Sequence, residues 1–456
     1  MRDIAIVMLF ASGAVMALRR PYIAALLWVW VGLMNPHRLG WGFAYSLPLA
    51  MIAAGTLFFS MLINPAQVRW TMRFPVPLLL TFVGWMGITT ALAVFPDESF
   101  EKYIFVLKVL LMLLPVAAVI HTREEILGFI VVVTGSLAFF GIKGGIFTAL
   151  TGGGSRVWGP PASVIEGNNE LAVALIITVP LLYYLATQSA LLRGLPFISK
   201  IPEKWSKRFL YSAMFLCLLS ALGSHSRGAL LAMIAMGSVL WWRSKSKLAL
   251  FVVAMIVGVM AVAFMPEEWT SRMNTIQTYE EDDSAQGRIN AWTMAVNIAN
   301  GNPTGAGFVT DSPIIYQKYA PNPNFVIVAH SIYFQVLGEH GYIGLFLYLA
   351  FWAATYSLAG RLSRLSAGHE QLEWAHTLAS MTKVSLIGFC VGGAFLSLAY
   401  WDMPYYILVI LLCTERCVQE ALNQSSKVAP KAKEIMPKQR PSNAMSTRRG
   451  QDAPLC

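Results

Sequence analysis

Apolar runs separated by short polar breaks recur along the whole chain, and many approach or exceed the ~20 residues that cross a hydrocarbon layer as a helix. They predict spans near 2–18, 21–35, 44–63, 76–94, 103–120, 126–150, 169–188, 209–223, 228–242, 248–265, 340–359, 378–398 and 404–420. The first two are short, which leaves the count at twelve or thirteen and the side of the N-terminus open. A backbone in lipid must satisfy its hydrogen bonds within its own segment, so the expected fold is an all-α polytopic membrane protein of about 12 (12–13) transmembrane helices.

Charge gives the spans a sidedness. Segments 64–75, 121–125, 189–208, 243–247 and 360–377 hold thirteen Lys and Arg, and the stretch after Thr414 adds eight. Segments 95–102, 151–168, 224–227 and 266–339 hold six over a greater length. By the positive-inside rule the first set is cytoplasmic and the second external. The terminal stretch 421–456, rich in Lys, Pro, Ser and Arg, reads as a disordered basic cytoplasmic tail on a transmembrane domain of residues 1–420.

The one long external segment, 266–339, has roughly 75 residues, far beyond an ordinary connection. Trp269, Trp292, Phe308, Tyr316, Tyr319 and Phe325 give it apolar anchors. Ile289, Trp292, Val296 and Ala299 recur at helical spacing. One or two helices are expected there, the first ending at the Gly301-Asn302-Pro303 breaker.

Composition removes the soluble classes. Of 456 residues, 56% are hydrophobic and 13% charged, about half the charged share of a soluble domain, and mean hydropathy is +0.57. The net charge of +10 lies in short segments between spans, as topology signals do and nucleic-acid surfaces do not. The run Ile4–Leu18 precedes Arg19 and Arg20, the wrong order for a signal peptide, so it is expected to stay as a membrane helix. Cys217 and Cys390 lie within spans, Cys413 and Cys417 close the last, and Cys456 is terminal, which offers neither a disulfide framework nor a metal-ligand spacing.

Few external residues carry chemistry. Arg227, in Gly223-Ser224-His225-Ser226-Arg227-Gly228, sits at or just inside the membrane surface, where a cation is costly and points to function. Snorkelling to lipid phosphates explains it as well. Arg288 follows the acidic run Glu280–Asp283 and is read as opening a helix, where free N–H groups and the dipole favour an anion; a surface ion pair with that run is the alternative. Arg156, in Gly152-Gly153-Gly154-Ser155-Arg156, is the weakest of the three cations. His330 precedes a membrane helix, and neutral imidazole suits proton abstraction from a hydroxyl. His340, after Glu339, is a rival base. On a continuous helix from His330, Gly341 returns within about 20° of the same face some 16 Å lower, and with Gly344 nearby it offers a tightly packed stripe. Arginines that grip phosphate bidentately, a histidine base and no nucleotide motif fit a pyrophosphate leaving group on a lipid-tailed substrate.

His330-Ser331, nine residues, Gly341, two residues and Gly344 resemble the signature of the O-antigen ligase and polymerase superfamily. Ser226-Arg227-Gly228 and the stretch from Arg288 to Pro303-x-Gly305-x-Gly307 resemble two further motifs of that superfamily, in the same order. The likeness covers roughly residues 165–400 together with the many-spanned architecture. It implies an enzyme of the bacterial inner membrane, with its active site facing the periplasm, that moves a glycan from undecaprenyl diphosphate without metal or cofactor. His330 is then the base, and Arg227 and Arg288 the diphosphate clamps, with Arg156 an additional substrate contact; attack inverts the anomeric carbon. Met34-Asn35-Pro36-His37-Arg38 and Trp41-Gly42-Phe43-Ala44-Tyr45 are similar to O-glycosylation ligases. The implied acceptor is lipid A-core, with a growing glycan or a protein as alternatives. A transporter of lipid-linked glycan is the reading from another class, opposed by the lack of repeated halves and of midplane polar residues.

Overall fold

The computed structural model describes residues 1–194, 199–243, 246–248, 252, 255, 258 and 283–434. In chain order the helices are α1 (Arg2–Ala17), α2 (Pro21–Met34), α3 (Leu49–Ile63), α4 (Val76–Ala91), α5 (Pro96–Leu111), α6 (Leu113–Ala118), α7 (Arg123–Leu150) and α8 (Asn168–Thr187). They continue as α9 (Ser189–Leu192), α10 (Glu203–Gly223), α11 (Arg227–Arg243), α12 (Asp283–Gly301), α13 (Pro313–Tyr319), α14 (Ile332–Ser366), α15 (Glu373–Gly393) and α16 (Asp402–Glu434). Among the described residues there is no strand, so the protein is all-α. By length and apolar character α7, α8 and α14 can each cross a membrane, with α2, α3, α4 and α11 as shorter apolar helices.

Helices occupy the predicted apolar segments, apart from 248–265, which lies almost wholly outside the described residues. Two of them differ in extent. The segment 103–120 divides at Met112 into α5 and α6, and Pro115, which has no N–H for the Leu111 carbonyl, accounts for the division. The last helix runs on to Glu434, past the expected start of the tail at 421, through a stretch whose three Ala and three Lys favour helix; residues 435–456 lie outside the described ones. The external segment, described from 283, holds α12 and α13, and α12 ends at Gly301 as the breaker predicts.

The bundle centres on α7, α8, α10, α14 and α15. Close approach of α7 and α10 depends on Gly141, Gly144 and Gly145. A Cβ on Gly141 would lie 2.4 Å from the Cys217 sulfur, and one on Gly145 2.3 Å from the Leu216 carbonyl oxygen. With little hydrophobic force between helices in lipid, such glycines gain van der Waals contact by bringing backbones together. A separate small core, Ala291, Met294, Ile298, Ala306, Ile315 and Tyr316, holds α12 and α13 as a cap.

The two sets of polar segments gather at opposite ends of the bundle. At one end Arg361 meets the buried Glu415 at 2.6 Å, Arg73 lies 3.9 Å from the same carboxylate, and Arg69 meets Glu420 at 3.3 Å. Arg416 donates there to the Ile120 and Arg69 carbonyls at 3.2 and 3.1 Å. Arg361 is near the C-terminus of α14, and His330 precedes the N-terminus of that 35-residue helix. From residue 342 to Arg361 the continuous part of that helix carries the chain about 30 Å toward the other end.

Within α14 the helix is interrupted at Gly341, whose φ of 66° and ψ of −170° belong to a region open essentially to glycine alone. In an unbroken helix the carbonyls of residues 338–340 would bond to N–H groups four residues on. Here the N–H groups of Ala306 and Gly307 donate to the Gly338 and Glu339 carbonyls at 2.9 and 3.0 Å, and the Trp85 indole donates to the His340 carbonyl at 2.9 Å. The interruption corrects the expectation of one continuous helical face from His330 to Gly341. Gly341 is where the Pro303–Gly307 segment docks: a Cβ there would lie 2.0 Å from the Pro303 carbonyl oxygen.

Candidate functional site

Four loops and helix starts converge at the end of the bundle that carries the cap. The Ser226 hydroxyl accepts from the Ala229 N–H at 3.2 Å, capping α11 and making Arg227 its first residue. The preceding loop is tied down on both sides. Asn168, opening α8, donates to the Ser224 carbonyl at 2.7 Å, and the His225 Nε2 lies 2.8 Å from the Gly153 carbonyl. His225 is buried at φ 58°, a left-handed conformation unusual for a residue with a side chain.

Arg288 enters from the cap. Its helix already runs from Asp283, where the described residues resume, so Arg288 lies more than a turn inside it and does not open it. The free N–H groups expected around Arg288 therefore belong to the residues before it. What fixes Arg288 is side packing. Asn290 donates to the Asn322 carbonyl at 2.8 Å and accepts from the Asn322 N–H at 2.8 Å, and Trp292 donates to the Ala329 carbonyl at 2.7 Å. Trp292 also stacks on Phe334 at 4.9 Å. These bonds lock α12 to the strand of chain that leads into His330.

His330 sits at φ 44°, and its N–H donates to the Ser397 hydroxyl at 2.9 Å. Ser397 belongs to the turn after α15, whose neighbouring residues Phe395 and Leu396 face the arginines. A cavity of about 20 Å³ is lined by Arg227, Arg288, Asn169, His225, Ser226, Gly228, Phe395 and Leu396, room for about one water molecule. Two arginines from separate elements thus line one cavity. Burial, and then the charge of Arg288, hold the His330 imidazole below its usual pKa. At neutral pH it is therefore mostly the neutral, proton-accepting form.

The remaining candidates fall outside this grouping. Arg156 is exposed on the glycine-rich loop and does not line the cavity, although His225 anchors that same loop through Gly153. His340 is wholly buried, with its Nδ1 2.7 Å from the Thr89 hydroxyl, beyond the reach of an acceptor. The sequence reading missed His225, Asn169 and the Phe395–Ser397 turn. His225 stood inside the flagged loop, but its burial and left-handed backbone have no signature in residue type, and the turn is hidden by the apolar run 378–398.

Residues 212–349 match the family described as O-antigen ligase. That segment is an O-antigen ligase-like domain. That match contains Arg227, Arg288 and His330, and it places the protein, at a coarse level, among glycosyltransferase-like membrane enzymes of lipid-linked glycans. Residues 1–190 match a family of unknown function. No curated protein matches the chain. Among solved structures, a chain from the study titled "Structural coordination of polymerization and crosslinking by a peptidoglycan synthase complex" is 14% identical, with a TM-score of 0.37 over 75% of this chain and 97% of that one. At that similarity no property passes between them.

Proposed function

We propose that the O-antigen ligase domain transfers a glycan from undecaprenyl diphosphate to a hydroxyl of lipid A-core, on the periplasmic face of the bacterial inner membrane. The observation that carries this reading is the shared cavity of Arg227 and Arg288, with His330 close enough to feel the Arg288 charge. The cavity as it stands admits about one water, so a diphosphate is taken up as the two guanidinium side chains and the Phe395 ring part around it. Guanidinium forks match phosphate oxygens bidentately and stabilise the charge that grows on the leaving diphosphate.

The reaction balances on these residues. The acceptor hydroxyl gives its proton to the neutral His330 imidazole as its oxygen bonds to the anomeric carbon. The bond from that carbon to the diphosphate oxygen breaks, and the electron pair leaves with the diphosphate toward the arginines. Attack from the opposite face inverts the anomeric configuration.

Purified protein in lipid, given undecaprenyl diphosphate-linked glycan and lipid A-core, tests the reading. His330→Ala is expected to abolish transfer while leaving folded protein in the membrane, and full transfer by that variant would overturn the assignment. Lengthening of the donor glycan without lipid A-core would reassign the enzyme as a polymerase, and transfer to a protein acceptor would make it a protein O-oligosaccharyltransferase.

A further inference from the structure

On the first turns of α14, Ser331, Gln335 and Glu339 follow one another at intervals of four and so share one face. Ser331 and Glu339 are buried and Gln335 is half-buried, all within an otherwise apolar bundle. Polar groups in such surroundings are costly unless partnered. Gln335 and Glu339 find their partners in each other and in the turn after α15. The Glu339 carboxylate accepts from the Tyr400 hydroxyl at 2.5 Å and from the Gln335 amide at 3.3 Å, and the Gln335 oxygen accepts from the Ala399 N–H at 3.3 Å.

That same turn touches the site. Phe395 and Leu396 line the arginine cavity, and Ser397 holds the His330 N–H. The turn is thus bound at its start to the reacting groups and at its end to Glu339. His330 itself keeps a left-handed backbone that its surroundings must enforce.

We propose that Glu339, acting through Tyr400 and Gln335, is a positioning residue that fixes the Phe395–Tyr400 turn and through Ser397 the aim of His330. Glu339 lies about 12 Å along the helix from Ser331, too far to touch the reacting atoms. Its role is to accept two hydrogen bonds. This inference rests on the assignment of His330 as the base, and the experiment separates the two.

Full-length protein carrying Glu339→Ala, Glu339→Gln, Tyr400→Phe or His330→Ala is purified, checked for folded yield, and assayed for kcat and for the KM of undecaprenyl diphosphate-linked donor. Glu339→Ala and Tyr400→Phe are expected to lower kcat by roughly tenfold to a hundredfold with donor KM little changed, as small displacements of a catalytic group do. Glu339→Gln, which keeps an oxygen for the Tyr400 hydroxyl, is expected to recover most of that loss. Tyr400→Phe removes a single oxygen and keeps the test intact should Glu339→Ala fold poorly. Wild-type kcat in Tyr400→Phe overturns the inference, as does a Glu339→Gln variant no better than Glu339→Ala. Wild-type transfer by His330→Ala instead removes the assignment on which it rests.

Discussion

Substituting Gly341 by alanine tests how the site is anchored to the bundle. The new Cβ would lie 2.0 Å from the Pro303 carbonyl oxygen and 2.8 Å from its carbon, both backbone atoms that cannot swing aside. The φ of 66° and ψ of −170° add strain for any side chain, about 1–3 kcal/mol. Relief requires the Pro303–Gly307 segment to move, which breaks the bonds from Ala306 and Gly307 to α14, each worth roughly 0.5–1.5 kcal/mol. The combined destabilisation is about 2–6 kcal/mol. Gly55 of α3 is the control, because a Cβ there meets nothing within 4 Å, and alanine in such a helix position is stabilising by roughly 0.5–1 kcal/mol. Thermal unfolding of both variants in the same detergent, followed by tryptophan fluorescence, gives the comparison. Gly341→Ala is expected to unfold about 2–6 °C below wild type and Gly55→Ala at or above it; equal midpoints would show that the interruption in α14 is not enforced by glycine.

Two further outcomes follow from the chemistry. Since the neutral imidazole is the active form and its pKa is held down, kcat should be flat through neutral pH and fall only on the acid side of the ordinary histidine range, as His330 takes up a proton. Removing the positive charge in Arg288→Gln removes one of the two causes, so the acidic limb moves to higher pH, whereas Arg288→Lys leaves it in place; an unmoved limb in Arg288→Gln would refute the electrostatic link. Transfer is also expected to persist after dialysis against a chelator, measured as product per unit time, and loss restored by a divalent cation would contradict arginine as the sole holder of the diphosphate.

Much of the bundle could be read from the chain because lipid imposes a simple rule: a backbone segment without water must be helical, and helical segments must be apolar. The cap was readable for a related reason. Apolar residues at helical spacing, followed by Gly301-Asn302-Pro303, signal a helix and its end, and α12 ends there, although the face that packs is Ala291, Met294 and Ile298 and the expected Ile289 is exposed. The pattern did not show what depends on backbone angle. Gly341 fits a small-residue stripe as well as a break, and only its φ and ψ separate the two. The start of α12 was misplaced because Asp283–Gln286 carry no apolar periodicity. Arg227, Arg288 and His330 were legible as scarce charged or basic groups outside the basic end. The residues that hold them, His225, Asn290, Ser397 and Tyr400, are ordinary polar side chains whose importance arises from partners distant in sequence.

In the proposed reaction Arg227 and Arg288 grip one diphosphate while His330 performs chemistry beside it. Binding of undecaprenyl diphosphate to the purified protein, followed by native mass spectrometry in wild type, Arg227→Ala, Arg288→Ala and His330→Ala, measures this most directly. Affinity is expected to fall by roughly tenfold or more in each arginine variant, the loss of a charge-assisted hydrogen-bond pair, and to stay near wild type in His330→Ala. Wild-type affinity in both arginine variants would contradict the account.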